Sequence, residues 1–223
     1  IRVPFAPVLD VNNNPDNPII NVRSFGEDPD GVARMGIAFI EGVQDNGAIA
    51  TGKHFPGHGD TETDSHVALP VILHDRARMD SVELQPFQEA IDAGMGAVMT
   101  AHISVPGIAD GDRTPSTLNP TILKDLLRED MAFDGLIFTD AMDMSAIARQ
   151  YSAEEAAVRA VEAGADVILM PPSPARAIDG IVAAVESGRI SESRIDASVR
   201  HLLETKEAIG LHKNRKVSIE GVQ

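Results

Sequence analysis

The chain has 223 residues, of which 43% are hydrophobic, so it can bury the core of one large domain and is not expected to be disordered. It carries 19 Lys and Arg against 34 Asp and Glu, and the formal charge of -15 argues against a nucleic acid or an anionic membrane as the main partner. The absence of cysteine excludes disulfides and thiolate metal sites, and no apolar run reaches the ~18 residues of a membrane span.

Five short apolar segments recur along the chain, and the segments between them have a helical pattern. The predicted strands cover residues 3–9, 48–51, 97–100, 136–139 and 166–170. Alternation of strands and helices predicts an α/β fold with a parallel sheet, either doubly wound or closed into a (β/α) barrel.

Capping residues indicate where the predicted helices begin and end. Asp28 followed by Pro29 is typical of a helix start. Asp80 and Glu83 have the spacing of a capping box, which would open a helix that ends near Gly94. Further helices are predicted to begin at Asn119 with Pro120 and at Ser152 with Glu155, the latter ending at Gly164, and to cover residues 174–186 and 192–209.

Reactive side chains directly follow four of the predicted strands, and this pattern favours a barrel. These residues are Asp10, Lys53 with His54, His102, and Asp140. A barrel gathers such residues around one mouth, whereas a doubly wound sheet concentrates its ligand at one switch point. Only five strands are visible where a barrel needs eight, so the chain is either part of a barrel or not a barrel.

The richest stretch of titratable residues is KHFPGHGDTETDSH, residues 53–66, on a predicted loop that contains proline and glycine. Within it, Asp64 could accept a hydrogen bond from one nitrogen of His66 and leave the other nitrogen free to move protons near neutral pH. The alternative interpretation is a solvated polar loop with no chemical role.

Metal binding is the competing hypothesis for the same loop. His54, His58, Asp60, Asp64 and His66 are all of ligand type, and their nitrogen and oxygen donors would suit zinc or another divalent ion. Their spacing matches no helical ligand pair, so this hypothesis ranks second.

Asp140 lies where the apolar run of GLIFTDAMDM ends, so it could be a nucleophile, a metal ligand or a simple helix cap. Arg23 could hold the oxygens of a ligand or be solvated.

Lys53 and His54 are adjacent and would point to opposite faces of a regular strand. Both can reach one pocket only if the strand ends or bulges at that point.

Four runs of sequence closely resemble glycoside hydrolase family 3, in its β-N-acetylglucosaminidase branch. They are FAPVLDVNNNPDNPIINVRSFGEDP, TGKHFPGHGDTETDSHVALP, VELQPFQEAIDAGMGAVMTAHI and FDGLIFTDAMDM, in the family's order over nearly the whole chain. The resemblance implies a TIM-type (β/α)8 barrel and retaining, exo-acting hydrolysis of terminal β-linked N-acetylglucosamine in peptidoglycan fragments or chito-oligosaccharides. It implies no metal and no cofactor.

The resemblance also assigns roles to residues. Asp140 matches the nucleophile that forms a covalent glycosyl-enzyme intermediate, and His66 matches the general acid/base, paired with Asp64. The DSH loop selects this branch, because other branches take a glutamate from a second domain. The residues that match the family's contacts to the sugar hydroxyl and acetamido groups are Arg23, Lys53 and His54.

One family segment is missing, namely a DxEGGxVxR-like stretch upstream of FAPVLDV. The expected domain is therefore a partial catalytic barrel over residues 1–212, with about the last five βα units, followed by a tail or linker over residues 213–223. The expected partners are a carbohydrate substrate and an absent N-terminal barrel segment. There are two alternatives to this function: a family 3 β-glucosidase or β-xylosidase, or a non-catalytic module that binds a sugar or a metal. The sequence is compatible with both hydrolysis and phosphorolysis, and it leaves the cellular compartment open.

Overall fold

Three parallel strands form the centre of the fold in a computed structural model that describes residues 2–213. The strands, in sheet order, are β1 (Thr51–Phe55), β2 (Ala97–Thr100) and β3 (Leu136–Phe138). On one side of this sheet Val8 pairs with Lys53, and on the other Val167 pairs with Phe138, both in the parallel sense. The five predicted strand regions therefore lie side by side in chain order, as the parallel arrangement requires.

Helices connect these strands along the chain. The α-helices are α1 (Pro29–Gln44), α2 (Arg76–Ser81), α3 (Gln85–Asp92), α4 (Ser145–Ala148), α5 (Ala153–Ala163), α6 (Pro174–Glu186) and α7 (Glu192–Ala208). A π helix covers Thr121–Asp130, and short 3-10 helices cover Asn21–Arg23 and Ser116–Leu118. In the described part of the chain, 2–213, none of the helices has the length and apolar character needed to span a membrane.

Two of the predicted helix starts are confirmed by the side chains that cap them. The Asp28 carboxylate accepts a hydrogen bond from the Gly31 backbone N–H at 2.9 Å, and Pro29 is the first residue of α1. The Ser152 hydroxyl accepts from the Glu155 N–H at 3.2 Å at the start of α5. These local contacts satisfy backbone donors that have no partner within the helix.

The predicted capping box of Asp80 and Glu83 is wrong. Asp80 lies inside α2, which begins after Asp75, and it forms an ion pair with Arg76 at 2.7 Å. Glu83 is buried and pairs with Arg78 at 3.1 Å between α2 and α3. The spacing of a capping box is therefore present without the capping structure. Asp80 lies within a helix and pairs with Arg76 one turn earlier, and Glu83 pairs with Arg78.

The strand predicted at residues 48–51 is also displaced. β1 begins at Thr51 and continues through Lys53 and His54 to Phe55. Hydropathy places the strand too early, because two polar residues belong to the strand and their side chains face a cavity. Of the predicted tail at residues 213–223, all but Lys213 lies outside the described residues.

Alternate residues of the strands face two apolar layers, as the two-residue period of a strand requires. Val98 and Ile137 belong to the larger cluster, which also contains side chains from α1, α3 and the π helix. Met99 and Phe138 belong to a smaller cluster on the opposite face. The sheet is thus buried on both faces, which is typical of parallel sheets between layers.

Candidate active site

A cavity of about 230 Å³ lies at the carboxyl ends of the parallel strands, where barrel folds carry their sites. Five of the six residues predicted from the sequence line it, namely Arg23, Lys53, His54, His66 and Asp140. The sixth, Asp64, is one hydrogen bond away through His66. The structure thus brings together residues from a short 3-10 helix, a strand and two loops.

A bulge in β1 explains how Lys53 and His54 both reach this cavity. Lys53 is opposite Met99 and Phe55 is opposite Thr100, so three consecutive residues of β1 lie opposite two consecutive residues of β2. Such a bulge re-aims side chains that a regular strand would send to opposite faces. The expectation that the strand either ends or bulges here is confirmed, and the structure shows the bulge.

A buried carboxylate organises the side of the cavity that contains His54. Asp10 is fully buried, and its carboxylate accepts from the backbone N–H groups of His54 at 3.1 Å and His58 at 2.7 Å. Its other oxygen accepts from His54 Nδ1 at 2.6 Å. Burial acts to raise the pKa of Asp10, but the His54 charge and these hydrogen bonds hold it below its usual value.

His54 is held in one orientation by this contact. Because Nδ1 donates to Asp10, Nε2 is the free acceptor, and the Arg23 guanidinium donates to it at 3.3 Å. Arg23 also donates to the Ile19 carbonyl oxygen at 3.0 Å. The sequence identified Asp10 only as a residue after a strand, whereas the structure assigns it the orientation of His54.

Lys53 lies between positive and negative groups of the cavity. Burial lowers the pKa of its ammonium, the Arg23 charge lowers it further, and the carboxylates of Asp140 and Asp10 oppose the shift. The cavity therefore holds cationic donors beside a carboxylate, which suits a neutral ligand with many hydroxyl groups.

Asp64 and His66 form the predicted pair on the loop after β1. His66 Nδ1 and the His66 backbone N–H both donate to Asp64 Oδ1 at 2.8 Å. Burial alone would raise the pKa of Asp64, but the hydrogen bonds and charge of His66 lower it, so the carboxylate stays ionised. His66 Nε2 is left free to exchange a proton, and the side chain is 60% exposed.

Asp140 follows β3 and is half-buried at the cavity. Its carboxylate accepts from the Ala141 N–H at 2.8 Å, and the next helix, α4, is preceded by Met144 at its N-cap, so Asp140 does not cap it. The buried His102 donates from Nε2 to the Ala141 carbonyl oxygen at 2.9 Å. This bond fixes the backbone next to the Asp140 carboxylate.

The five residues of the metal hypothesis do not form one ligand set. His54 pairs with Asp10, and both nitrogens of His58 contact hydroxyl groups. Within residues 2–213, one group of three potential ligands comes together elsewhere, namely Asp60, His74 and Glu83. The Arg78 guanidinium lies 3.1 Å from Glu83 and 3.7 Å from Asp60, so an arginine already supplies the positive charge there.

His58 has a buried environment that the sequence did not predict. Burial lowers its pKa to about 4, against about 6.5 for an unperturbed histidine. Its ring nitrogens contact the hydroxyl groups of Thr61 at 2.8 Å and Ser65 at 3.0 Å. The imidazole is therefore neutral at physiological pH and serves as a hydrogen-bonding group inside the fold.

This burial predicts a pH dependence of stability. Between about pH 6.5 and 4 the unfolded chain binds a proton at His58 and the folded protein does not, so the free energy of unfolding falls as the pH falls. Over the whole range, the titration of His58 should lower the free energy of unfolding by about 3 kcal/mol. Urea unfolding across this range should give a steeper dependence for the wild type than for His58→Gln. Equal slopes would contradict the burial of a neutral His58.

Comparison with known proteins connects this geometry to a family. Residues 1–205 match the model of the glycosyl hydrolase family 3 N-terminal domain. Beta-hexosaminidase A of Pseudoalteromonas piscicida is 36% identical over 225 residues, which cover 92% of this chain and 38% of that protein. Beta-hexosaminidase of Chromobacterium violaceum is 37% identical over 185 residues, 83% of this chain and 50% of that protein.

Solved structures of the family superpose closely on this chain. A glycoside hydrolase family 3 β-N-acetylglucosaminidase from Paenibacillus sp. str. FPU-7 has a TM-score of 0.95 and 48% identity, covering 99% of this chain and 42% of that chain. The β-glucoside phosphorylase BglX has a TM-score of 0.92 and 28% identity, over 97% of this chain and 40% of that one. The chain spans 38–63% of the relatives' lengths. The predicted TIM-type barrel fold is confirmed, and the chain belongs to glycosyl hydrolase family 3, whose N-terminal domain it matches.

Proposed function

We propose that this chain carries the catalytic barrel of a retaining exo-β-N-acetylglucosaminidase that acts on peptidoglycan fragments or chito-oligosaccharides. The observation that carries the proposal is that Asp140 and His66, with Asp64 bonded to the histidine, meet at one cavity with Arg23 and Lys53. A carboxylate and a proton-transfer group on one cavity are the two parts that a retaining glycosidase needs.

In the first step, His66 protonated at Nε2 gives its proton to the glycosidic oxygen while the Asp140 carboxylate attacks the anomeric carbon. The bond to the leaving group breaks, and a glycosyl ester forms on Asp140. The donor is a cation before it transfers its proton, so the Asp64 carboxylate 2.8 Å from Nδ1 stabilises it.

In the second step, the now neutral His66 accepts a proton from water as the water oxygen attacks the anomeric carbon. The ester bond to Asp140 breaks, the sugar leaves with its original configuration, and His66 is again protonated. One imidazole thus serves as acid in the first step and as base in the second.

Arg23, Lys53 and His54 are proposed to bind the sugar's hydroxyl and acetamido groups. Arg23 and Lys53 are donors, and the Asp10–His54 bond holds the His54 ring at a fixed angle. Donors fixed around a sugar bind more tightly as its ring distorts towards the oxocarbenium-like transition state, so they contribute to rate as well as to affinity.

Phosphorolysis is a second candidate for the deglycosylation step. The similarity to a β-glucoside phosphorylase favours it, and a neutral histidine repels an incoming phosphate less than a second carboxylate would. Release of a sugar 1-phosphate when inorganic phosphate is added to the reaction would identify this route, whereas free sugar as the sole product would exclude it.

The barrel is proposed to close with further βα units outside residues 2–213. Large apolar side chains are exposed at both ends of the array, with Met35 at 55% and Phe39 at 39% on α1, and Val199 at 48% and Leu203 at 59% on α7. Three additional units would bring the total to the eight of the family's barrel and would cover both helices.

Two chromogenic substrates test the proposal, a β-N-acetylglucosaminide and the matching β-glucoside. Each is assayed with the 223-residue chain and with a version extended upstream. We expect the extended version to hydrolyse the N-acetyl substrate with the higher kcat/KM. Preference for the glucoside would contradict the assigned branch, and activity with neither would favour a non-catalytic binding module. Equal activity of the two versions would contradict the need for further βα units.

A further inference from the structure

The loop that carries His66 has few anchors in the protein interior. From Glu62 to Ala68, Ser65 is the one fully buried residue, and Asp64 is half-buried. The Ser65 side chain contacts His58 Nε2 at 3.0 Å, and its carbonyl oxygen accepts from the Ala146 N–H at 3.4 Å. The orientation of the loop therefore depends largely on a single buried hydroxyl group and its histidine partner.

His58 is itself held by several hydrogen bonds. Its backbone N–H donates to Asp10 at 2.7 Å, and its carbonyl oxygen accepts from the Asn17 amide at 2.8 Å and the Thr61 hydroxyl at 3.1 Å. All of these residues are buried. His58 thus has a fixed position relative to Asp10, the residue that orients His54 on the sugar-binding side.

The hydrogen bonds also define the tautomer of His58. The Thr61 hydroxyl gives its one proton to the His58 carbonyl oxygen, so Nδ1 carries a proton and donates to Thr61 Oγ1 at 2.8 Å. Nε2 then has a free lone pair and accepts the proton of the Ser65 hydroxyl. Burial keeps the ring neutral, with a pKa of about 4, so this acceptor persists at physiological pH.

We propose that His58 is a positioning residue: through its hydrogen bond to Ser65 it fixes the position of the loop that carries Asp64 and His66. Asp10 holds both His58 and, on the other side of the cavity, His54. The inference rests on the proposed function, in which His66 transfers the proton. Ser65 lies between Asp64 and His66 in the chain, so a displacement of Ser65 displaces both members of the pair. A shift of about 1 Å at a proton donor can slow a reaction by about 10²-fold.

The test compares two variants of His58 and one of Ser65 in the full-length protein. The amide of His58→Gln extends as far as Nε2 of the histidine, so it can still accept the hydrogen bond of Ser65. The shorter side chain of His58→Asn extends only as far as Nδ1, so the hydrogen bond to Ser65 is lost. Ser65→Ala removes the same hydrogen bond from the other side. Thr63→Ala, an exposed position in the same loop, is the matched control.

The informative readout is how kcat/KM depends on the leaving group. An unactivated chitobiose needs protonation of its leaving oxygen, and a dinitrophenyl N-acetylglucosaminide does not. We expect His58→Asn and Ser65→Ala to lose about tenfold to hundredfold on chitobiose and much less on the dinitrophenyl substrate. His58→Gln and Thr63→Ala should stay close to the wild type. Equal losses on both substrates, or no loss, would overturn the proposal.

A second measurement is independent of the substrate. The Val67 and Ala68 amides donate to the Asp64 carbonyl oxygen at 2.9 and 3.1 Å, so their hydrogen exchange reports the order of the loop. Exchange should accelerate in Ser65→Ala and not in Thr63→Ala. An inactive wild type would refute the proposed function, whereas unchanged exchange in Ser65→Ala would refute the positioning role.

Discussion

Replacing Asp140 with alanine is expected to reduce kcat on a β-N-acetylglucosaminide by on the order of 10⁶-fold, as removal of a nucleophile does in a serine protease. Without the carboxylate, no glycosyl ester can form and the developing positive charge at the anomeric carbon loses its counter-charge. Arg23, Lys53 and His54 remain, so a sugar analogue should still bind. Steady-state kinetics and equilibrium binding of the product sugar measure the two effects separately.

Asp143 provides the control for this substitution. It is an exposed aspartate three residues after Asp140, and it does not line the cavity. Asp143→Ala should therefore keep nearly wild-type rates. Wild-type rates in Asp140→Ala, or an equally large loss in Asp143→Ala, would refute the assignment of Asp140.

The second large effect is expected at His66. Removal of a general acid/base costs about 10²–10⁴-fold in rate, and His66→Ala should show this loss on substrates with a poor leaving group. Asp64→Asn should lower the rate less, because it leaves the imidazole in place but removes the charge that stabilises its protonated form. Since the two residues act as a unit, the loss in the double variant should be well below the product of the single losses.

The pH dependence of kcat/KM gives a further check on the pair. Asp64→Asn removes the counter-charge of the protonated imidazole, so the pH dependence of kcat/KM should differ between this variant and the wild type. The matched control is His212→Ala, an exposed histidine beyond α7 that does not line the cavity. A pH profile that is the same in Asp64→Asn as in the wild type would contradict the role of this pair.

The position of the site could be predicted from the sequence because parallel strands end at one edge. Asp140 and the Lys53–His54 pair each follow or end a strand, and the barrel geometry gathers such ends at one mouth. The Asp64–His66 bond was also predictable, since it depends on residues two positions apart. The first prediction follows from the topology of parallel strands, and the second from local sequence spacing.

The contacts that each side chain makes in the fold explain what the sequence could not predict. Asp80 and Glu83 have the spacing of a capping box, but the helix begins earlier, after Asp75, and the two carboxylates pair with Arg76 and Arg78. The sequence required β1 to end or bulge at Lys53–His54, but the choice between the two depends on the register with β2, which no local pattern encodes. His58 looked like a possible metal ligand, because its hydroxyl partners are apparent only after the loop folds back.

The most direct measurement is to trap the covalent intermediate and identify the residue that carries the sugar. A fluorinated N-acetylglucosaminide with a good leaving group forms the glycosyl ester quickly and releases it slowly, so the labelled protein can be digested and analysed by mass spectrometry. The account predicts one sugar on the peptide that contains Asp140, and none in Asp140→Ala. A label on another carboxylate, or normal turnover with no labelled peptide, would contradict a retaining mechanism through Asp140.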